Sequence, residues 1–411
     1  MLPGHTWHAA PTATALTVLV AACGGNPLPA TGSPSPAIAP PEECRLGTGR
    51  PSPADTMVVA TLEPVDTTHA PVPWNDTERL LFRQHWDTLI RLDCTGAPRP
   101  GLAHSWSADA TGRSWAFDLR TATSDSRIVT ATDIATTWQA REPAMAALRY
   151  AGLESLLSLD DHRLVVSFTS AHEAVPLVFA DPALAIRRED TTGTFVLVRA
   201  DAGRDPRDAL DQGADLLLAD DPALLEYAAS RSDFTIEPLP WTRTYALVLP
   251  PGRGGVGDVA HGDSAAFRAA LARDAVRADA RGAEPPFWWD GLAGCGQAAS
   301  STASSLRSGG AVLYPRGDQI ARDLAERLVA LSDQRTTTRG LDPADFAAAL
   351  RAGSERAFIV PLPRLAPVPC REAARWPAGA RLVPLVDARR KAILRRGGPA
   401  LTVDADGAIR R

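Results

Sequence analysis

Lysine is nearly absent from this 411-residue chain: Lys391 is the one lysine, beside dozens of arginines. Such a bias reads as the mark of a GC-rich genome rather than of a guanidinium-specific site. Long basic runs are lacking too. The densest are Arg389-Arg390-Lys391 and Arg395-Arg396, and a net charge of −5 disfavours a nucleic-acid partner on electrostatic grounds. Beyond Cys23 no stretch is long and apolar enough to span a hydrocarbon core of ~30 Å, which needs roughly 20 residues. No CxxC or Cys/His spacing suggests zinc, and no GxSxG, HExxH or Walker sequence is present. Internal repeats of the solenoid kind are missing as well. The many aspartates read as turns and solvated faces, as in Asp221-Pro222 and Asp342-Pro343. Catalytic residues, a metal site and a cofactor site are therefore not expected. No acid/base constellation stands out, and an enzyme is not expected.

What is present begins near the N-terminus. An apolar block from about Ala13 to Ala22 runs into Val20-Ala21-Ala22-Cys23, after which the composition changes abruptly. The block suits the h-region of an export signal, although Met1–Pro11 offers only His5 and His8 as basic residues. The tetrad resembles a bacterial lipobox, which implies that residues 1–22 are removed and that Cys23 carries the lipid. Residues 23–54 are rich in Pro, Gly, Ser and Ala and read as a semi-extended tether about 30 Å long. The expected location is thus outside the cytoplasm, anchored by lipid on the periplasmic or cell-surface side. With Cys23 lipidated, Cys44, Cys94, Cys295 and Cys370 remain, and four cysteines allow three pairings. Pairing within each stage of the chain favours Cys44–Cys94 and Cys295–Cys370.

The folded part alternates strand and helix signals. Met57–Thr61 is an apolar run expected as a buried strand. Glu78 to Ile90 has helical spacing, Ser114–Leu119 alternates like a half-buried strand, and Thr130 offers a cap ahead of Ile134. Leu164–Phe168, Phe195–Val198 and Tyr245–Leu249 read as further strands. A second texture follows: a helix over Ser264–Ala280, strand and helix over Ala311–Leu331, a helix from Asp342-Pro343 to Leu350 and a strand at Ala357–Val360. These predict two α/β lobes, the first over 55–262 with a return over 362–411, the second over 263–361.

Several segments, taken in order, carry a resemblance. Leu62-Glu63-Pro64-Val65-Asp66, Trp86–Asp93, Pro100–Trp106, Gly112–Arg120, Val129–Ile134 and Asp263–Leu271 resemble motifs of the family 5 extracellular solute-binding proteins, the peptide- and nickel-type lipoproteins of ABC importers. The resemblance implies a periplasmic-binding-protein-like (type II) α/β fold, two lobes with a ligand cleft and a crossover hinge. It also implies a small-molecule or peptide-like ligand, ABC permease subunits as partners, and a monomer tied to the membrane through its N-terminal lipid. A degenerate member acting as a sensor or partner-binding lipoprotein is the alternative. Family features are lost at Asp125–Val129, at Thr191–Phe195 and after Val248-Leu249. Where the peptide-binding relatives carry an aspartate that takes the peptide amino group, this chain reads Phe358–Pro367, with three prolines that should interrupt strand pairing, no aspartate, and Arg364 of the wrong sign. The expectation is a cleft built on aromatic faces, from Trp74, Trp241, Tyr245, Trp288 and Trp289, suited to a sugar-like, cyclic or cationic solute and not to a peptide held as an added strand.

Overall fold

The computed structural model describes residues 42–47, 57–63, 65–120, 129–188, 195–199, 205–249, 265–282, 310–331, 336–352, 356–364 and 380–410. Cys23, Trp288, Trp289, Cys295 and Cys370 lie outside the described residues, as does most of the 1–54 leader and tether.

The first lobe is built on a five-stranded sheet ordered Phe195–Arg199, Met57–Thr61, Leu216–Ala219, Lys391–Arg395 and Phe234–Pro238. Its first three strands run parallel, and Lys391–Arg395 is antiparallel to both of its neighbours. Parallel strands are normally covered on both faces and read as continuous apolar runs. That is why Met57–Thr61 and Leu216–Ala219 lack a polar side: Val59 and Leu216 pack into one buried cluster, Ala60 and Leu217 into another. Beside this sheet an antiparallel one, ordered Ala103–Ala108, Ser114–Leu119, Arg163–Phe168 and Leu153–Asp160, packs on the helices Ala131–Ala140 and Glu142–Tyr150. Thr130 and Asp133 cap the first of these helices reciprocally. Trp138 is buried in this core and donates its indole N–H to the Leu184 carbonyl at 2.7 Å. The Asp-Pro pairs are helix starts instead of free turns. Asp221 caps Pro222–Ala229 through the Leu224 N–H, and Pro343 opens the helix Pro343–Arg351 after Asp342. Proline at the first helical position loses no hydrogen bond there.

Residues 42–47, which composition assigns to the tether, belong to the first lobe. Arg45 and Leu46 pair antiparallel with Thr402 and Leu401. Cys44 and Leu46 are buried, and Cys44 is bonded to Cys94 in a disulfide.

The second lobe carries a six-stranded sheet ordered Ala280–Gly282, Arg381–Ala388, Arg243–Leu249, Ala357–Pro363, Ala311–Pro315 and Thr337–Leu341. Arg243–Leu249 shows why it sits centrally. Tyr245, Leu247 and Leu249 face a core with the helices Ala265–Asp274 and Gln319–Ala330, while Ala246 and Val248 face one with the helix Pro343–Arg351. Because Arg243–Leu249 and Arg381–Ala388 are strands of this sheet, the chain crosses between lobes at 239–242 and at 389–390, outside the 263–361 segment expected from texture. The two crossings run side by side, with the Leu239 N–H donating to the Arg390 carbonyl at 3.0 Å.

Pro361 and Pro363 do not interrupt pairing with the crossover strand, contrary to the expectation from composition: Tyr245 lies opposite Pro361 and Arg243 opposite Pro363. The Arg364 N–H donates to the Thr242 carbonyl at 2.6 Å. Alternation then turns the N–H of 362 the same way and leaves positions 361 and 363 facing away. On that other side Ala311–Pro315 reaches only Ala357 and Phe358, so the missing donors break no ladder.

Candidate functional site

The site is organised by one face of the helix Asp76–His85. Asn75 caps it by accepting from the Glu78 N–H at 2.8 Å, and the Glu63 carboxylate accepts from the N–H groups of Asp76 and Thr77. Carboxylates are favoured at a helix N-terminus, where backbone donors and the positive end of the dipole converge. Asp76, Arg79 and Arg83, spaced three and four apart, share a face. That face is buried against the crossover and the hairpin turn at 404–408, with Arg79 only 3% exposed. The turn needs Gly407, whose φ of +82° is left-handed, and a Cβ there would meet Thr242 and Arg79.

Asp76 is the hub. One oxygen binds Arg79; the other lies 3.0 Å from both Arg243 and Arg390, the residues that begin one crossover strand and end the other crossing. Arg390 also binds Glu63 at 2.9 Å and approaches Asp220 at 3.6 Å. Burial alone would raise the Asp76 carboxyl, but Arg390, Arg79 and Arg243 outweigh it and hold it well below the usual carboxylate range. Asp318 shows the opposite balance: burial dominates over Arg243 and pushes its carboxyl up. A turn further along the helix, Arg83 binds Asp406 at 3.0 Å, and Arg410 binds Asp404 at 2.6 Å and approaches Asp87 at 3.5 Å.

Two cavities open along this stripe. One, with about 20 Å³ open to a water molecule, lies at the crossover and is lined by Asp76, Arg79, Asp220, Arg243, Arg389 and Arg390. The other, of similar size, is lined by Arg83, Arg91, Arg364, Arg410, Asp404 and Asp406. Both draw residues from the two lobes or from the crossing between them. Among the described residues no group of His, Cys, Asp and Glu could hold a metal ion.

Trp241 and Tyr245 stand at the crossover, but their ring faces and hydroxyl are engaged within the protein. The Arg389 and Arg281 guanidiniums lie 4.4 and 4.7 Å from the Trp241 ring centroid. Tyr245 is fully buried and donates its hydroxyl hydrogen to Asp318 at 3.0 Å. Trp74 is 62% exposed and stacks on His69 with ring centroids 3.9 Å apart, beside the His69–Glu78 pair. The charged stripe escaped sequence reasoning. Its only local signals are the Asp76, Arg79, Arg83 spacing and the Arg389-Arg390 pair, both indistinguishable from a solvated surface.

The sequence matches no protein-family model and no curated protein. Solved structures share its fold. A dipeptide-binding protein of Pseudoalteromonas sp. SM9913, in complex with Met-Leu, is 13% identical, with 86% of this chain and 98% of that one covered at a TM-score of 0.60. The oligopeptide-binding protein OppAIV of Borrelia burgdorferi is 11% identical, with 83% and 95% covered and a TM-score of 0.59. NikZ of Campylobacter jejuni, in complex with Ni(L-His), is 11% identical, with 86% and 97% covered and a TM-score of 0.58. The fold is therefore the type II periplasmic-binding-protein α/β fold: two lobes, a cleft between them and a crossover hinge.

Proposed function

We propose that the chain is a divergent family 5 solute-binding protein that captures a small solute between its lobes and presents it to ABC permease subunits. The observation that carries this reading is the small polar cavity lined by both lobe crossings, in a fold shared with dipeptide-, oligopeptide- and nickel-complex-binding proteins. A hinge formed by two short crossings lets lobes close on a ligand, and a ligand that touches both lobes shifts the population toward the closed form. Nothing in the site calls for bond-making chemistry, and the role proposed is binding alone. Lipidation at Cys23, with the following residues as tether, would hold a monomer at the membrane on the outer side, within reach of a permease; two acyl chains give stable anchoring where one is marginal.

A peptide held as an added strand is disfavoured, because positions 361 and 363 on the open side of Ala357–Pro363 have no N–H to give. As they stand the cavities, each with about 20 Å³ open to a water molecule, are far smaller than the ~300–1,000 Å³ usual for small-molecule sites. One observation favours the alternative of a sensor or partner-binding lipoprotein. Asp76 already joins the first lobe to both crossings through Arg243 and Arg390, an ion-pair tie that needs no ligand.

The deciding experiment is small-angle scattering of the purified protein with and without each member of a small-solute library, with thermal shift as the first screen. Compaction on binding supports transport-type capture. A protein equally compact with and without every solute supports the alternative. Fatty-acid labelling that survives Cys23→Ala would sink the anchoring part.

A further inference from the structure

We propose that Trp74 is the platform on which the solute lies, and that the solute is a saccharide. Its ring stacks on the open indole face while Asp66 accepts from one of its hydroxyl groups. The inference rests on the solute-binding reading and names the chemistry of its ligand.

Trp74 is 62% exposed, the most of any large apolar side chain among the described residues, yet it is held in place. His69 covers one face of the indole, with ring centroids 3.9 Å apart and planes 9° from parallel. Phe82 in turn meets the His69 ring edge-on at 5.9 Å. Glu78, only 2% exposed, ties the loop together. Its carboxylate accepts from the Asp66 N–H at 3.0 Å, the Trp74 N–H at 2.7 Å and His69 Nε2 at 2.8 Å. A buried carboxylate is costly unless its acceptors are filled, and here the loop it organises fills them. A ligand therefore meets an aromatic face that is already ordered, which lowers the entropy lost on binding.

Placement ties this face to the hinge. Glu63, ahead of the loop, binds Arg390, and Asp76, two residues after Trp74, binds both Arg390 and Arg243. Trp74 thus belongs to a first-lobe segment fastened to both lobe crossings. Because one carboxylate receives the N–H groups of Asp66 and Trp74, the two residues are neighbours. Asp66 is 53% exposed; one oxygen accepts from the Thr68 N–H at 2.9 Å, and the other stands 3.9 Å from His69 Nδ1, beyond hydrogen-bond reach of it.

The surroundings select the ligand class. An indole face attracts C–H groups, such as those on the apolar face of a sugar ring, and it attracts cations. The adjoining crossover cavity is lined by four arginines against two aspartates, which repels a cation. Positions 361 and 363 have no N–H for a peptide strand. Both cavities admit only a water-sized group, so the solute lies against the loop instead of inside them. A sugar meets these conditions. Its C–H face covers the indole, and hydroxyls on its rim can donate to Asp66.

The test is calorimetric titration of the purified protein with glucose, galactose, N-acetylglucosamine, cellobiose and maltose. Tetramethylammonium and the dipeptide Met-Leu serve as cationic and peptide probes. At least one saccharide should bind, with little dependence on salt, since the ligand carries no charge to screen. Trp74→Ala should reduce that affinity tenfold or more. Trp74→Phe keeps a ring on His69, guards against a folding defect, and should retain part of the affinity. Asp66→Ala should weaken binding at least threefold, and unchanged affinity there overturns the hydroxyl contact. Tyr150→Ala removes a different exposed aromatic and should leave binding as in the wild type. Absence of binding by all five saccharides, or equal binding by the Trp74→Ala protein, overturns the inference, as does Trp74-dependent binding of tetramethylammonium or Met-Leu alone. If another solute compacts the protein in the scattering screen and Trp74→Ala leaves its binding unchanged, the inference falls and the solute-binding reading stands. Trp74-dependent saccharide binding without compaction supports the inference and counts against transport-type capture.

Discussion

Replacing Asp76 by asparagine is the sharpest probe of the crossover. The side chain keeps its shape but loses the charge that three guanidiniums share. Asp76 is 12% exposed, Arg79 3%, Arg243 17% and Arg390 16%, so solvent does little to screen the loss. Arg390 keeps Glu63 and Asp220, but Arg79 and Arg243 make their ion pairs with Asp76 alone among the described residues. Breaking a buried pair from one side typically costs about 3–5 kcal/mol, because the remaining charge stays buried. For lobes of this size that corresponds to a fall of roughly 6–20 °C in melting temperature. The pH dependence carries its own signature. A carboxyl held low in the fold contributes stability that is present above its unfolded value of about 3.9 and is lost only as pH falls through the lowered folded value. The gap between wild type and D76N should thus stay constant from pH 8 to pH 5. Urea unfolding followed by tryptophan fluorescence reads it directly. Removing an orphaned partner as well, in Asp76→Asn with Arg79→Met, should recover part of the loss. A D76N protein within about 1 kcal/mol of wild type, or a double variant no more stable than D76N, would refute the reasoning.

Asp318 should behave in the opposite sense. Its carboxyl is raised by burial, so its contribution is fully present below the unfolded value and is lost as pH rises through the folded one; Asp318→Asn keeps the cap on Gln319–Ala330 and should match or exceed wild-type stability at pH 7, the difference vanishing near pH 4 in parallel thermal melts. The Cys44–Cys94 disulfide joins residues 50 apart, so Cys44→Ser with Cys94→Ser should lower stability by up to about 4 kcal/mol in the chain-entropy relation, measured against a wild type melted without reductant. Gly101→Ala would place a Cβ 2.2 Å from the Thr88 carbonyl oxygen, backbone that cannot swing aside, and should cost about 3 kcal/mol or more; an unchanged urea midpoint would show that the tight approach is not needed.

Local patterns were legible in the amino-acid sequence by itself. Met57–Thr61, Ser114–Leu119 and Leu164–Phe168 are strands where their apolar content places them, Thr130 caps the helix that follows it, and a second α/β lobe follows the first. Each rests on neighbours within a few residues, the range over which periodicity and capping act. The lobe crossings were less legible, because Arg243–Leu249 and Arg381–Ala388 are apolar strands like any other until their partners are known. Pro361 and Pro363 were misjudged for the same reason: a missing N–H matters only on a paired side, and pairing is a tertiary fact. The charged site lay furthest from view. Asp76 meets Arg243 across 167 residues and Arg83 meets Asp406 across 323. No local spacing singles out, among dozens of arginines, the few that fold buries. Only the tertiary structure turned one helix face toward the crossover and buried Asp76 and Arg79 there against Arg243 and Arg390.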